Sequence, residues 1–302
     1  MFDHSGIASR RLAMPVEWYL EPHGFGERNQ VFIEVALDLL AEAATRALER
    51  AGVTVETVDT VVCVTSTGIA VPTLDARLGD RIGLRPDVAR VPLFGLGCGG
   101  GILGLARAAA LARADAGSRV LLLVIELCSL ALRRADASRA NLVACALFGD
   151  GAAAAVVSTV GRGAAILATG EYRWPHSGEV MGWRVEDDGL GVLFSPHIPE
   201  FVRSHLGTAI ADFLARHRLG RDAIDAFAVH AGGPRVLAAL DAVLQLPARD
   251  REIAAATLRD YGNISAVSVL LALKQRLRSP WERLLALAMG PGFTAGFALL
   301  AA

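Results

Sequence analysis

The sequence predicts a layered α/β fold with largely parallel sheets. Short runs rich in Val, Ile and Leu, bounded by glycine or charge, are typical of buried strands. Segments of Ala, Leu and Arg with helical spacing lie between these runs, and this alternation favours an α/β fold. The predicted strands are Thr60 to Val64, Val120 to Ile125, Ala153 to Val157, Ala164 to Ala168, Ala226 to Val229 and Leu284 to Ala288. The predicted helices are Glu34 to Ala51, Gly101 to Ala114, Ile198 to Arg216, Arg235 to Leu244 and Ala266 to Arg278.

The composition favours a folded protein that acts on a small molecule. The chain has 302 residues, 53% of them hydrophobic, which suffices for one large domain or two halves. A net charge of -1 without a Lys/Arg block argues against nucleic acid or an anionic membrane surface as a partner. The most apolar stretch, Val120 to Leu132, is interrupted by Glu126 and is too short to span a bilayer. No signal-like run precedes Arg11, so we expect a cytoplasmic protein.

Two glycine-rich segments follow predicted strands and carry reactive side chains. Gly97-Cys98-Gly99 lies in the first half of the chain, and His230-Ala231-Gly232-Gly233 lies in the second. The similarity indicates two related halves, packed tightly because no Pro/Ser-rich linker separates them. We place the boundary near Gly161-Arg162-Gly163, with an N-terminal half of residues 1–161 and a C-terminal half of residues 162–302.

Cys98 is the candidate nucleophile. The four cysteines, Cys63, Cys98, Cys128 and Cys145, include no CxxC pair, so a disulfide framework is not expected. Cys98 follows an apolar strand-like run and precedes an Ala-rich helix. At a helix N-terminus, unpaired N–H groups and the helix dipole stabilise a thiolate, which predicts a lowered thiol pKa. The alternative is a small buried residue at a tight turn.

His230 and Asn263 are the candidate partners of Cys98. His230 ends a predicted strand, where α/β sheets usually present groups that contact ligands, although a buried core histidine is the alternative. Asn263 precedes a long apolar helix and is either its N-cap or a donor to a developing oxyanion.

At these three sites the chain resembles the chalcone synthase-like type III polyketide synthases of the thiolase superfamily. The matching segments are Trp18 to Asn29, Ser66 to Ile69, Gly95 to Cys98, Leu147 to Gly151, His230 to Pro234, Tyr261 to Ser265 and Met289 to Phe293. Ketoacyl synthases of fatty acid synthesis share Cys, His and Asn in this order. Gly-Gly-Pro after the histidine and the loop Gly290-Pro291-Gly292-Phe293 are more typical of the chalcone synthase group.

The resemblance implies a thiolase-like fold of two related α/β halves in an αβαβα arrangement, and it implies a reaction. Cys98 would take an acyl group from an acyl-CoA starter, and His230 and Asn263 would hold the thioester oxygen of malonyl-CoA as carbon dioxide leaves. Extension and cyclisation would then give a pyrone or phenolic product, with no metal or flavin as cofactor.

The resemblance also assigns residues to the substrate cavity. Phe148 and Val192 match positions that guard the junction of CoA tunnel and cavity, and Cys128 and Ala131 fall on stretches that line it. The loop Gly290-Pro291-Gly292-Phe293 belongs to the same set. Because Val192 and Ala131 are small, extra room and a fatty acyl starter are expected.

Three further expectations follow from the same resemblance. Members of the family have a longer N-terminal segment ahead of the match to Ser5-Gly6-Ile7, so the first sheet is expected to lack an opening strand. Arg10 and Arg11 remain as candidate contacts to CoA. A homodimer is expected, in which the segment around Val71-Pro72 reaches the cavity of the neighbouring subunit.

Three other functions compete with this interpretation. A papain-like hydrolase uses Cys, His and Asn in the same order, but it needs a Gln ahead of the cysteine, where Cys98 has glycines. A ketoacyl-acyl carrier protein synthase III-like enzyme would show a basic docking patch, and no such cluster is evident. An inactive truncated partner subunit fits the short N-terminus, but the intact Cys98, His230 and Asn263 argue against it.

Overall fold

The computed structural model describes residues 5–302 and confirms a layered α/β architecture. Every predicted strand and helix is present, with ends shifted by a few residues; the first helix begins nine residues earlier, at Phe25 instead of Glu34. The strands are β1 Thr60–Thr65, β2 Ala89–Phe94, β3 Arg119–Leu127, β4 Asp150–Ser158, β5 Ala165–Arg173, β6 Met181–Glu186, β7 Gly189–Phe194, β8 Ala226–Val229, β9 Arg283–Gly290 and β10 Thr294–Ala301. The helices are α1 Phe25–Ala51, α2 Leu74–Ile82, α3 Gly100–Ala114, α4 Arg139–Leu147, α5 Ile198–Arg216, α6 Pro234–Leu244, α7 Ala248–Tyr261 and α8 Ala266–Arg276.

The two main sheets differ in strand direction. The first has the order β2-β1-β3-β4, in which β1 runs parallel to β2 and β3, and β4 runs antiparallel to β3. The second has the order β5-β10-β9-β8, in which β10 runs antiparallel to both of its neighbours. The prediction of largely parallel sheets is therefore wrong for the second sheet. The turn 291–293 joins β9 to β10, and so short a connection permits only antiparallel pairing.

Three apolar clusters fill the interfaces between five layers, and one of them covers both sides of the central helices α3 and α8. Alternate residues of β1 and β3 point to opposite faces: Val61 and Leu121 pack against α1 and α2, and Val62 and Leu122 pack against α3 and α8. The second sheet covers the other side of α3 and α8, and its far face packs against α5, α6 and α7. The order of layers is thus αβαβα, as the resemblance implies.

The halves are related by their strand order. In each, two parallel strands are followed by an antiparallel one: β1, β3 and β4 in the first half, and β8, β9 and β10 in the second. The second sheet continues with β5 beyond β10, whereas no strand of residues 5–302 pairs with the outer edge of β4. The loop between β4 and β5 contains the predicted boundary at Gly161-Arg162-Gly163, which stays a prediction.

A separate hairpin, β6–β7, stands apart from both main sheets and pairs only within itself. All four cysteines are free. Among the described residues, no helix has both the length and the apolar character needed to cross a bilayer.

Candidate active site

Cys98 lies in a tight 3-10 turn, Gly97–Gly99, between β2 and the start of α3 at Gly100. This confirms the predicted position at a helix start. Gly97 has a φ of 47°, and a Cβ there would lie 2.5 Å from the Cδ atom of Pro291. Glycine is therefore required at position 97 both for the backbone conformation and for the close approach of the 290–293 loop.

Burial dominates the pKa of the Cys98 thiol. The side chain is 8% exposed, and burial, together with the nearby Glu126 carboxyl group, raises its pKa to about 12. Hydrogen bonding to Ser265, to its own backbone and to Asn263 opposes this rise only in part. The prediction of a lowered thiol pKa is thus wrong for this structure, because desolvation outweighs the stabilisation by the helix N-terminus.

His230 follows β8 directly, as predicted, and its backbone N–H donates to Leu287 O over 3.1 Å. The side chain is 4% exposed, and neither ring nitrogen has a hydrogen-bond partner within the described residues. Burial lowers the pKa of the imidazole to about 4, which favours the neutral ring at neutral pH. A buried imidazole with two free nitrogens is unusual in a structural role and available for a reaction.

Both the nitrogen and the oxygen of the Asn263 side-chain amide form hydrogen bonds. Its Nδ2 donates to Gly232 O over 3.1 Å, and its Oδ1 accepts from Ser265 N over 2.8 Å. The N-cap of α8 is Ser265, so the alternative assignment of Asn263 as the N-cap is wrong. One of the two Nδ2 hydrogens remains available for another acceptor.

The fold brings the side chains of His230 and Asn263 together at Gly232. A Cβ atom at Gly232 would lie 3.6 Å from His230 Nε2 and 3.8 Å from Asn263 Nδ2, so both nitrogens face the same small volume. The Asn263 side chain also interacts with the thiol of Cys98. The amide donor of Asn263 therefore adjoins both the neutral imidazole of His230 and the nucleophile candidate Cys98, where the two halves of the fold join.

Cys98 lines a pocket that is partly open to solvent. Phe148 and Val192 line this pocket, as the resemblance implies for them. The remaining lining residues come from the turn at Cys98, the start of α8, the 290–293 loop and the β6–β7 hairpin: Gly97, Met181, Gly182, Trp183, Leu193, Phe194, Ser265 and Pro291.

Trp183 lines the wall of the Cys98 pocket and was not predicted from the sequence. Its ring packs edge-on against Phe148, with 6.0 Å between centroids, and it pairs across the hairpin with Val192. The room expected at Val192 is therefore occupied from the neighbouring strand. The dipeptide Asp188-Gly189, which is typical of a hairpin turn, was the available signal.

The other residues assigned to the cavity lie elsewhere. Cys128 is fully buried and packs with Ala144 behind Phe148. Ala131 lines a second pocket of about 230 Å³, beside Thr67 and Leu190.

Within the 290–293 loop only Pro291 lines the Cys98 pocket. A Cβ at Gly290 would lie 2.7 Å from Gly99 N, so this glycine permits the loop to pack on the Cys98 turn. Gly292 adopts a φ of 79°, and Phe293 is a fully buried core residue. These three positions shape the turn without facing the pocket.

A buried carboxyl group adjoins the site and was also missed as a functional feature. Glu126 is 0% exposed and accepts hydrogen bonds from Ser66 N at 3.1 Å, Ser66 Oγ at 2.7 Å and Ser265 Oγ at 3.3 Å. Burial raises its pKa to about 7. The signal in the sequence was a single charge inside an apolar strand, which the sequence analysis used only to exclude a membrane span.

The two candidate CoA contacts differ in their surroundings. The Arg10 guanidinium donates to Cys145 O and Phe148 O, and it thereby caps the C-terminal end of α4 next to the pocket. Arg11 is exposed. Within residues 5–302, no group of three or more His, Cys, Asp or Glu side chains is arranged to hold a metal ion.

Family models match both halves of the chain. Residues 19–161 match the N-terminal domain of chalcone and stilbene synthases. Residues 214–302 match the C-terminal domain of 3-oxoacyl-[acyl-carrier-protein] synthase III. The two matches place Cys98 in the first domain and His230 and Asn263 in the second.

Similar proteins extend the match over nearly the whole chain. A 1,3,6,8-tetrahydroxynaphthalene synthase of Streptomyces peucetius subsp. caesius is 44% identical over 98% of this chain and 81% of its own length. A putative chalcone synthase of Bacillus subtilis is 36% identical over 97% of this chain and 85% of its own length. The crystal structure of 1,3,6,8-tetrahydroxynaphthalene synthase from Streptomyces coelicolor A3(2) superposes with a TM-score of 0.94 at 30% identity, covering 99% of this chain and 87% of that chain. The chain therefore belongs to the type III polyketide synthases of the chalcone and stilbene synthase family, which are acyltransferase-type enzymes.

Proposed function

We propose that this protein condenses malonyl-CoA units on Cys98, with a small acyl-CoA as starter, and releases a polyhydroxylated aromatic compound. The observation that carries the proposal is that the Asn263 amide adjoins both His230 Nε2 and the thiol of Cys98, which itself lines a pocket. The pocket is walled by the rings of Phe148 and Trp183, which fits a compact product better than a long chain.

The first step is acyl transfer. In the protein alone, burial favours a neutral thiol and a neutral imidazole. As the starter thioester approaches, the Cys98 proton moves to His230, and the sulfur attacks the thioester carbonyl. The bond from that carbonyl to CoA sulfur breaks, and His230 returns the proton to CoA as it leaves. The acyl group then remains on Cys98 as a thioester.

The second step is decarboxylation of malonyl-CoA. Its thioester oxygen faces the ring N–H of His230 and the free N–H of Asn263. Loss of carbon dioxide leaves an enolate whose negative charge these two donors stabilise, each by about 3 kcal/mol. The enolate carbon attacks the acyl carbon on Cys98, the carbon–sulfur bond breaks, and the chain on CoA is two carbons longer. No step uses a metal or a flavin.

Malonyl-CoA is the proposed starter as well as the extender. The relatives of 44% and 30% identity are named for 1,3,6,8-tetrahydroxynaphthalene, a compound of ten carbons, which five two-carbon units supply. The wall formed by Trp183 and Phe148 supports a product of that compact kind. A fatty acyl starter, expected from Val192 and Ala131, would have to pass this wall, and Ala131 lines a different pocket.

A ketoacyl-acyl carrier protein synthase is the second candidate, because the C-terminal half matches that family model. It would accept malonyl groups from a carrier protein, whereas a type III polyketide synthase accepts them from CoA. The inactive partner subunit is less well supported, since Cys98, His230 and Asn263 are all present and gathered.

We also propose that the protein is a homodimer. Val71 is 87% exposed, and Ile69 and Phe94 are also exposed at the adjoining ends of β1 and β2. An apolar group of this kind fits a subunit interface. CoA contacts of Arg10 and Arg11 and a cytoplasmic location remain predictions.

The direct test is incubation of the purified protein with malonyl-CoA alone and with acetyl, fatty acyl or p-coumaroyl-CoA, followed by chromatography and mass spectrometry. We expect an aromatic product from malonyl-CoA alone, and none from Cys98→Ala. Turnover of malonyl-acyl carrier protein but not of malonyl-CoA would favour the ketoacyl synthase. A requirement for a fatty acyl starter would overturn the proposed starter and leave the condensing chemistry in place.

A further inference from the structure

Three acidic side chains converge on one arginine near the tip of the β6–β7 hairpin. Arg133 Nη2 lies 2.7 Å from Glu186 Oε2, and Arg133 Nε lies 2.9 Å from Asp188 Oδ1. Asp136 Oδ2 lies 3.5 Å from Arg133 Nη1. The Arg133 side chain is 15% exposed, so these interactions are less screened than those of a fully exposed pair. Glu186 ends β6 and Asp188 belongs to the turn. The ion pairs of Arg133 therefore hold the tip of the hairpin.

Arg133 is itself fixed in place by Asn141. The Nδ2 of Asn141 donates to Arg133 O and to Asp136 O, each over 2.7 Å. Asn141 is 3% exposed and belongs to α4, which ends one residue before Phe148. The helix that leads to Phe148 therefore also positions the arginine that holds the opposite wall of the pocket.

Side-chain packing and ion pairs hold the hairpin in position. Met181 and Phe194 pack against the core of the second half, and Trp183 and Val192 pack around Phe148. At the tip, Arg133 supplies the ion pairs.

The two strands of the hairpin pair with each other and with neither main sheet, and an isolated two-stranded hairpin is at best marginally stable. Its inner face nevertheless supplies Trp183 and Val192 to the Cys98 pocket. The distance between this wall and Phe148 thus depends on what holds the hairpin against the rest of the protein.

We propose that Arg133 is a positioning residue that sets the width of the Cys98 pocket, and thereby the length of the chain that the enzyme makes; this rests on the proposed function above. Without the guanidinium group, Glu186, Asp188 and Asp136 face one another as like charges. Arg28 is a further cation in this region, but its guanidinium donates to the carbonyl groups of His23, Leu130 and Leu132. Repulsion at the tip would move the Trp183 wall outward and admit longer chains.

The test compares Arg133→Ala, Arg133→Lys and the double variant Glu186→Gln/Asp188→Asn with the unmodified protein. Hydrogen exchange of the amides in residues 181–194 reports the hairpin, and mass spectrometry of products from malonyl-CoA reports chain length. In Arg133→Ala we expect hairpin exchange about fivefold faster or more, and a shift toward longer products. Arg133→Lys keeps the charge but loses the forked geometry, so its effect should be smaller.

The double variant separates loss of the ion pairs from like-charge repulsion, and it should fall between Arg133→Lys and Arg133→Ala. The control is Arg259→Ala, because Arg259 also pairs with two acids, Glu252 and Asp260, but lies outside the pocket lining. This control should leave hairpin exchange and product length unchanged.

Each outcome decides the proposal. Unchanged hairpin exchange in all three variants would overturn it, and so would faster exchange with unchanged product lengths. If the unmodified protein makes no polyketide, the proposed function fails, and hairpin exchange alone still decides whether Arg133 holds the wall. If Arg133→Ala does not fold, Arg133→Lys and the double variant are compared with the unmodified protein instead.

Discussion

Ser265 Oγ donates a hydrogen bond to Glu126 Oε1 over 3.3 Å, so a fully buried carboxyl group is tied to the wall of the Cys98 pocket. The charge of Glu126 also raises the pKa of the Cys98 thiol. Because burial raises the pKa of Glu126 to about 7, its charge changes within the pH range in which the enzyme is expected to work. Glu126 therefore links proton uptake to both stability and nucleophile chemistry.

The first prediction concerns the stability of Glu126→Gln as a function of pH. Burial raises the pKa of Glu126 from an ordinary 4.5 to about 7, so between these values the folded protein keeps a proton that the unfolded chain has released. Glu126 should therefore lower the free energy of unfolding by about 3 kcal/mol as pH rises through this window. Glu126→Gln should lack this part of the fall, as measured by urea unfolding between pH 4.5 and 8.

Asp150 is a second buried carboxyl group whose titration affects the unmodified protein and Glu126→Gln equally. Burial raises its pKa to about 6, so it contributes a fall in stability of the same sign at lower pH in both proteins. The difference between the two unfolding curves isolates Glu126. A difference that does not change with pH would contradict the assigned carboxyl pKa.

The second prediction is that His230 makes Cys98 reactive. Burial, together with the Glu126 carboxyl group, raises the thiol pKa to about 12, so a thiolate at neutral pH requires proton transfer to a base such as the imidazole of His230. His230→Gln should react with iodoacetamide at Cys98 about tenfold more slowly or worse at pH 7, since each pKa unit changes the thiolate fraction tenfold. Mass spectrometry of the Cys98 peptide gives the rate. Equal rates would mean that His230 does not serve as the base.

The third prediction distinguishes the role of Asn263 in decarboxylation from the role of Cys98 in condensation. Asn263→Asp keeps the acceptor for Ser265 N but loses the N–H donor that faces His230. Release of carbon dioxide from malonyl-CoA should slow about a hundredfold or more, the usual cost of removing one oxyanion donor. Cys98→Ala is the matched control, because it should still decarboxylate malonyl-CoA while forming no condensation product. Unimpaired decarboxylation by Asn263→Asp would exclude the donor role.

The fourth prediction concerns the wall of the pocket. Trp183→Ala removes the ring that packs against Phe148 and lies across the hairpin from Val192. The larger pocket should accept longer acyl-CoA starters, measured as the ratio of kcat/KM for hexanoyl-CoA to that for acetyl-CoA. Leu193 lies on the same hairpin and also lines the pocket. Leu193→Ala therefore tests whether loss of any side-chain volume from the lining changes the starter ratio in the same way. An unchanged starter ratio in Trp183→Ala would mean that Trp183 does not determine which starter the enzyme prefers.

Much of the fold was predictable because most strands of the two central sheets are almost wholly apolar. β3 and β9 are buried along nearly their whole length, so their runs of Leu, Val and Ala identify them without ambiguity. The hairpin β6–β7 lacks such runs and was not predicted. β2 was recognised only as a strand-like run before Cys98, and β10 was not among the predicted strands although it is buried. Antiparallel pairing in the second sheet depends on the short β9–β10 turn, which strand composition does not reveal.

The candidate site was predictable for a different reason. Cys98, His230 and Asn263 each follow or precede glycines at the end of an element, and such positions expose a side chain at the edge of a sheet. The pKa of Cys98 was not predictable, because it depends on burial by residues distant in the sequence. Trp183 and Arg133 were missed for the same reason, since their roles arise only from tertiary contacts.

The most direct test of the central claim is to trap the acyl-enzyme. The protein is mixed with malonyl-CoA carrying a labelled acyl group, quenched in acid, digested and analysed by mass spectrometry. The account predicts one labelled acyl group on the peptide that contains Cys98, and no label in Cys98→Ala. Label on Cys63, Cys128 or Cys145 instead, or a labelled Cys98→Ala protein, would contradict the assignment of Cys98 as the nucleophile.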